Sequence, residues 1–207
     1  MNDRRDDKAE ALRTLQRWNC EDMRIITYST AGFRADTDIM LWRISYSLDC
    51  LNTAHTDLMK TRLGGYLVPT HSYLGTTKRS QYLIGQESEN NSALRGYLKP
   101  GGARYLTVYP FTKTREWYHR PFEDRQRIVH EQIKAAQEFK NVRMNTVYTF
   151  GLDDSEFVIG LETDRPEDLV DMAMRLREVE NSMFILHDTP RITCLQLSPE
   201  EMLERIG

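Results

Sequence analysis

The sequence predicts an α+β fold of two ferredoxin-like halves that together form a dimeric α+β barrel within one chain. The first observation is a glycine-containing acidic turn that occurs twice, in segments 32–41 and 151–160. The second is that each turn enters a strand, which leads into a helix with apolar residues at helical spacing and then into another strand. The third is that two such units can set their sheets side by side and close a barrel without exposed edges.

The composition is that of a globular protein, with 40% hydrophobic and 29% charged residues in a chain of 207. The net charge of −3 and the scattered basic residues do not favour nucleic acid as a partner. Segment 1–10 is charged and unlike a signal peptide, and no apolar run approaches the length of a membrane span. The three cysteines are far apart and indicate reduced thiols. We therefore expect a cytoplasmic protein.

The first half, residues 1–90, is predicted to contain two helices and three strands. One helix covers 8–17, and the second carries apolar residues from Leu48 to Met59. The strands are predicted at 23–28, after the Gly32 turn, and at 70–75. Segment 85–102 contains Glu, Asn, Ser, Gly and Pro, so it indicates a linker and a loop over a pocket.

The second half, residues 91–207, repeats this order with one additional leading strand. Strands are predicted at 103–109, 144–150, after the Gly151 turn, and at 191–195. A helix is predicted at 122–137, where Pro121 suits the first turn. A second helix carries apolar residues from Leu169 to Val179. Each half therefore has the split βαβ order of a ferredoxin-like unit.

Chemically distinctive residues follow the leading strand of the second half. They are Tyr109-Pro110-Phe111-Thr112-Lys113, then Trp117-Tyr118, then His130. A redox-active phenol and an axial imidazole are what a protein needs to hold an iron porphyrin and run one-electron chemistry. Aromatic residues at strand ends also pack cores, and a single histidine is commonly structural. These residues alone therefore leave both interpretations open. The five histidines contain no zinc-type pair.

In this order and spacing the motifs resemble the chlorite dismutase-like proteins, and among them the coproheme decarboxylases of bacterial haem synthesis. The resemblance covers nearly the whole chain and is strongest from Tyr105 to Leu195. It rests on the Tyr-Pro-x-x-Lys and Trp-Tyr motifs, the helix with His130, and the Gly151 turn. It implies a barrel assembled as a homopentamer, with haem and its iron in the C-terminal half.

The resemblance also implies roles for individual residues. His130 matches the proximal iron ligand, with Gln126 and Lys134 expected along the same helix edge and His187 as the next candidate ligand. Tyr109 and Lys113 match the catalytic pair, a tyrosine thought to become a radical and a lysine beside the reacting propionate. The cofactor-binding residues implied are Arg95, Trp117, Met144, Arg177 and Ser182.

The residue on the distal side of the iron depends on the alignment. Counting from Gly151 gives Met144, which we prefer, and counting from His130 gives Arg143. Strand alternation allows only one of them to face the haem. Chlorite dismutases carry an arginine there, so Met144 argues against that activity. The hydrogen-bond partner of the proximal histidine falls on Asn181, or on Glu180 if the register slips.

Three functions follow, in order of preference. The first is an enzyme that uses hydrogen peroxide to decarboxylate coproheme, which would be both substrate and cofactor, with propionates becoming vinyls. The second is a chlorite dismutase that converts chlorite to chloride and dioxygen and would need Arg143 over the iron. The third is a protein that carries or senses haem, or a family member that has lost haem.

Overall fold

The computed structural model of the chain describes residues 4–83 and 90–206. Its contacts divide into two compact units. The first unit comprises Met1–Ser72 with Cys194–Gly207, and the second comprises Tyr73–Thr193. The predicted halves, 1–90 and 91–207, were drawn from the repeated pattern, and those bounds stay a prediction.

The order of helices and strands along the chain matches most of the predicted elements. The helices are α1 Arg5–Trp18, α2 Leu48–Met59, α3 Ser92–Arg95, α4 Arg115–His119, α5 Phe122–Ala136, α6 Pro166–Arg177 and α7 Pro199–Glu204. The strands are β1 Met23–Ser29, β2 Ile39–Ser45, β3 Tyr105–Lys113, β4 Arg143–Tyr148, β5 Phe157–Thr163, β6 Ile185–His187 and β7 Ile192–Leu197. Two 3-10 helices cover Gly64–Tyr66 and Glu180–Phe184.

In the first unit, β1 pairs antiparallel with β2, so that Met23 lies opposite Ser45. The same strand pairs antiparallel with β7 through Thr27 and Leu197. Helices α1 and α2 contact each other, and apolar side chains from both helices and from β1 form one buried cluster. That cluster contains Ala11, Leu15, Met23, Ile25, Ala54, Leu58 and Leu63, with Met202 and Leu203 of α7. The first unit therefore has a core of apolar side chains.

In the second unit, β5 lies between β3 and β4, and β6 pairs with the end of β3. All of these pairings are antiparallel, which fits an α+β fold and excludes a parallel doubly wound sheet within this unit. A buried cluster joins Tyr109, Val142 and Leu161 to Met172 of α6. Residues of β3 that point to this cluster are therefore enclosed by the sheet and a helix.

The repeated turn has the same backbone conformation in both units. Gly32 has φ of 79° and Gly151 has φ of 72°, which is the left-handed region that glycine adopts readily. Two residues before each glycine, the carbonyls of Thr30 and Thr149 accept hydrogen bonds from the amides three and four positions later. The sequence repeat thus corresponds to a structural repeat.

The predicted strand at 70–75 is absent, and this prediction was wrong. The amide of Leu74 donates to the Asp153 carboxylate at 2.7 Å, so a side chain takes the hydrogen bond that a neighbouring strand would otherwise accept. Next to this segment, Thr76 forms a single bridge with the edge of β4, through two hydrogen bonds of 2.8 Å with Tyr148. The predicted linker 85–102 includes α3, and its residues 85–89 lie outside the described part of the chain. Among the described residues, no helix combines the length and apolarity needed to cross a bilayer.

Candidate functional site

Strand β3 holds the predicted catalytic pair inside the second unit. Tyr109 and Lys113 are 8% and 6% exposed. Phe111 stands between them, since it packs against the cluster that contains Tyr109 and its ring lies 5.5 Å from the Lys113 Nζ. The phenol and the ammonium group are therefore both buried along β3 and are separated by the Phe111 ring.

The Lys113 ammonium is enclosed by an amide and an indole. Its Nζ donates to Asn181 Oδ1 and lies 4.2 Å from the centre of the Trp117 ring. Burial lowers the pKa of Lys113 to about 7, and the nearby Glu156 carboxylate acts in the opposite direction. Lys113 therefore changes its charge near neutral pH.

Asn181 extends this contact toward helix α5. Its Nδ2 donates to Gln132 Oε1 at 2.6 Å, while its Oδ1 accepts from Lys113. Asn181 is 2% exposed, so both halves of its amide are used inside the protein. We call Lys113, Asn181 and Gln132 the lysine–amide chain. It carries a hydrogen-bonded path from β3 to the middle of α5.

A carboxylate binds the backbone amide of Lys113. Glu156 accepts a hydrogen bond from the Lys113 backbone N–H at 2.8 Å and another from the Tyr118 hydroxyl at 2.6 Å. Burial and the Glu156 carboxylate together raise the pKa of Tyr118, so its phenol stays protonated. The Trp-Tyr motif therefore contributes an indole against the ammonium group and a phenol to its neighbouring carboxylate.

The Tyr109 ring lies beneath a guanidinium group. The Arg191 guanidinium carbon is 4.1 Å from the ring centre, in the range of a cation–π contact. Asp188 accepts from Arg191 at 2.7 Å and from Arg177 at 3.0 Å, so it holds both arginines near the tyrosine. Burial raises the pKa of Tyr109, and the Arg191 charge opposes that shift. Ser182 donates to the Arg177 carbonyl at 2.9 Å.

On β4, Met144 and Arg143 lie on opposite faces. Met144 packs against the cluster of Tyr109. Arg143 is the register partner of Glu162 and donates to the Lys99 carbonyl at 3.1 Å. Strand alternation therefore directs Met144 toward the tyrosine, and Arg143 toward the other face of the sheet.

Arg95 belongs to that other face. It donates to Asn145 Oδ1 at 3.4 Å, and Asn145 donates to Glu162 at 2.9 Å. The amides of Gly101 and Gly102 also donate to Glu162, which is fully buried. The structure thus places Arg95 in a separate polar network and does not bring it to Tyr109 and Lys113.

His130 contacts the segment that carries Tyr82. Its Nε2 is 2.7 Å from the Tyr82 carbonyl oxygen, which also accepts from Gln126 Nε2 at 3.4 Å. Gln126 shares the His130 edge of the helix, as expected, and Lys134 is exposed. His187, the next candidate ligand, is exposed on β6. Within the described ranges, no group of three His, Cys, Asp or Glu residues could hold a metal ion.

Several site residues were not identified from the sequence. They are Gln132 and Tyr82 near α5, Glu156 beside Lys113, and Asp188 and Arg191 beside Tyr109. The helical phase of α5 could have indicated Gln132, because it lies one turn after the apolar Ile128. The contacts of Tyr82, Asp188 and Arg191 come from loops and strand ends, and no periodicity in the sequence indicates them.

Comparison with known proteins identifies the relatives of this chain. The family model described as chlorite dismutase matches residues 4–197. Coproheme decarboxylase of Mycolicibacterium smegmatis is 31% identical over 183 residues, which are 86% of this chain and 75% of that protein.

Solved structures agree with the predicted fold. A mutant chlorite dismutase from Candidatus Nitrospira defluvii is 24% identical, with a TM-score of 0.88 over 98% of this chain and 86% of that chain. The imidazole complex of chlorite dismutase from the same organism has a TM-score of 0.86 at 24% identity, over 98% and 85% of the two chains. The predicted α+β fold class is confirmed, and the chain belongs to the chlorite dismutase family.

Proposed function

We propose that this protein binds a propionate-bearing tetrapyrrole of the coproheme class, and that Tyr109 and Lys113 are the residues that meet a propionate. Decarboxylation of that ligand is the reaction the pair would serve. The name of the Mycolicibacterium smegmatis relative supports this substrate class. The observation that carries the proposal is that β3 holds a buried phenol and a buried ammonium group, with the Phe111 ring between them.

Lys113 supports the proposal through its charge. Its pKa of about 7 means that the neutral and charged forms of the amine have similar free energies at neutral pH. A carboxylate placed near the Nζ would favour the charged form, because an opposite charge raises the pKa of an amine. Lys113 would therefore gain its proton as a propionate binds and hold that propionate by a charge-assisted hydrogen bond.

Tyr109 supports the proposal through its surroundings. The phenol is protonated at neutral pH, because burial raises its pKa. Arg191 lies above its ring, and Arg177 shares Asp188 with Arg191. Guanidinium groups bind carboxylates in bidentate geometry, so these arginines would receive further propionates at the Tyr109 end of the site.

The described residues do not fit a haem iron held through His130. Its imidazole is already hydrogen-bonded to the Tyr82 carbonyl, and Lys113 and Asn181 connect to Gln132 instead. We therefore assign the propionates of the ligand, and not its iron, to the side chains of this site. The same geometry also supports the function that the sequence placed third, a protein that binds the tetrapyrrole without converting it.

Chlorite conversion receives no support from the site. Arg143, the residue it would require, interacts with the Lys99 carbonyl on the face opposite Met144. Met144 is a thioether and carries no charge to hold a chlorite anion. The homopentamer expected from the resemblance and the cytoplasmic location expected from the cysteine pattern remain predictions, and light scattering would test the homopentamer.

The proposal is tested by titrating the protein with coproheme, adding hydrogen peroxide, and following the porphyrin by mass spectrometry. We expect saturable binding and loss of carboxyl groups. Tyr109→Phe removes one hydroxyl, at a stability cost of about 1 kcal/mol, and should keep binding while stopping the mass change. Lys113→Ala should slow the mass change and leave binding in place, since the arginines remain.

The outcomes separate the candidates. Binding without any mass change in the wild-type protein would favour the non-catalytic binder. A Tyr109→Phe variant that converts coproheme at the wild-type rate would remove Tyr109 from the chemistry. Absence of saturable binding to any tetrapyrrole would overturn the proposed function as a whole.

A further inference from the structure

Helix α5 presents its residues to the candidate site according to their position around the helix axis. Ile128 is fully buried and Ala135 is 1% exposed, so these two residues mark the inward side of the helix. At about 100° per residue, Gln132 lies about 40° from Ile128, whereas His130 lies about 160° from Gln132. Gln132 is therefore on the inward side, and His130 is on a different side of the helix.

The contacts agree with this helical phase. Ile128 packs in a cluster with Trp117 and Phe184, beside the segment that carries Asn181. Gln132 accepts from Asn181, and Asn181 accepts from Lys113, so the inward side of α5 connects to Lys113.

The opposite side of α5 contacts the segment that carries Tyr82 and Leu83. His130 is hydrogen-bonded to the Tyr82 carbonyl, and Leu83 packs against Ile133 on the next turn. The Tyr82 ring contacts Phe122 at 5.5 Å between ring centres, and the Tyr82 hydroxyl accepts from Arg125 at 2.8 Å. The 82–83 segment therefore anchors to α5 through several contacts, and His130 is one of them.

We infer that Gln132 occupies the place on α5 from which a side chain would reach a ligand beside Lys113, and that His130 is a structural residue. A carboxamide is a weak ligand for iron, whereas an imidazole is a strong one. The inference rests on the proposed function and specifies which part of the ligand the site recognises. The site recognises the propionates and the organic ring of a tetrapyrrole, and it gains no affinity from the metal at the centre of that ring.

The test compares metal-free coproporphyrin III with ferric coproheme, using the full-length protein. We expect their dissociation constants to agree within about threefold, since the iron adds no bond. The resonance Raman spectrum of the ferrous coproheme complex should lack an iron–histidine stretch, and His130→Ala should leave spectrum and affinity unchanged. The inference is overturned if the wild-type spectrum shows that stretch and His130→Ala removes it.

Two variants complete the experiment. Gln132→His should bring an imidazole beside Asn181, create the iron–histidine stretch, and tighten coproheme binding at least about tenfold with no gain for coproporphyrin. Gln126→His is the matched control, because it adds a histidine on the His130 edge of α5 and should create no such stretch.

Failure of the inference and failure of the proposed function can be told apart. If the wild-type protein binds neither tetrapyrrole, the proposed function fails, while a Gln132→His variant that gains a histidine-ligated coproheme would still support the assignment of Gln132. If neither the wild-type protein nor Gln132→His shows an iron–histidine stretch with coproheme bound, the assignment of Gln132 is overturned.

Discussion

The two units repeat one arrangement and fill it with different chemistry. Helix, strand, glycine turn, strand and helix follow one another as α1, β1, β2 and α2 in the first unit and as α5, β4, β5 and α6 in the second. The first unit packs this arrangement with apolar side chains. Among the described residues, the buried charged side chains all lie in the second unit, and they are Arg95, Lys113, Glu156 and Glu162.

The comparison shows which features the fold requires. Burying a charge costs free energy unless it is paired and hydrogen-bonded. The first unit forms the same arrangement of helices and strands without that cost. An arrangement of this kind therefore does not require buried charges. Lys113 and Glu156 lie together at the candidate site, whereas Arg95 and Glu162 belong to the separate polar network on the other face of the sheet.

The largest expected effect on stability lies in the apolar unit. Leu15 is 4% exposed within the cluster of α1, α2 and β1. Leu15→Ala should lower the free energy of unfolding by about 2–5 kcal/mol, through lost burial and the cavity left behind. Urea denaturation measures it. Leu48→Ala is the control, because Leu48 is 60% exposed and the change should stay within about 0.5 kcal/mol. Equal effects of the two substitutions would contradict the assigned core.

Removing the buried charge of Lys113 should raise the free energy of unfolding, whereas removing the Leu15 side chain lowers it. The effect at Lys113 should also depend on pH. Its folded pKa of about 7 lies below the ordinary value of 10.5, so between these values the unfolded chain binds more protons. The free energy of unfolding therefore rises with pH across this window, by up to about 1.4 kcal/mol per unit, and the cost of the buried charge is complete below pH 7.

Lys113→Met removes this dependence. The variant should gain stability relative to the wild-type protein, and the gain should be larger at pH 6 than at pH 9. Denaturation at the two pH values measures the difference. A gain that is independent of pH would show that Lys113 keeps its charge throughout, and a loss at pH 6 would show that its hydrogen bonds outweigh its burial.

The smallest expected effect compares the equivalent helices α2 and α6. Ser47 caps α2, since its side chain accepts from the Cys50 amide at 3.3 Å. Arg165 precedes α6 without a side-chain cap, and Pro166 occupies the first turn instead. Ser47→Ala should cost about 1 kcal/mol, and Arg165→Ala should cost less, by thermal or urea unfolding. A larger loss of stability for Arg165→Ala than for Ser47→Ala would contradict the assignment of Ser47 as the residue whose side chain caps its helix.

Much of the fold could be predicted from the sequence, because periodicity and turn chemistry are local. The apolar spacing of α2 and α5 and the glycine turns at Gly32 and Gly151 gave the element types and their order. The strand predicted at 70–75 failed for a non-local reason, since Asp153 accepts the Leu74 amide. Short elements such as α4 and β6 carry too few residues for a periodic signal.

The candidate site was predictable only in part. The motif around Tyr109 and Lys113 identified β3, and counting from Gly151 led to the preference for Met144, which packs in the cluster of the tyrosine. The pairings of Arg191 with Tyr109 and of Asn181 with Gln132 join residues far apart in sequence, so only the folded chain shows them. The predicted role of His130 as an iron ligand rested on the resemblance. The helical phase of α5 argues against that role, because it places Gln132 on the inward side of the helix and His130 on a different side.

The most direct test of the central claim, that the second unit and not the first carries the ligand site, is hydrogen–deuterium exchange with and without coproporphyrin III. We predict slower exchange on binding in α5 and in the Glu180–Phe184 segment, which carry Gln132 and Asn181. The equivalent helix of the first unit, α1, should exchange at an unchanged rate. Protection of α1 alone, or of neither unit under saturating ligand, would contradict the account.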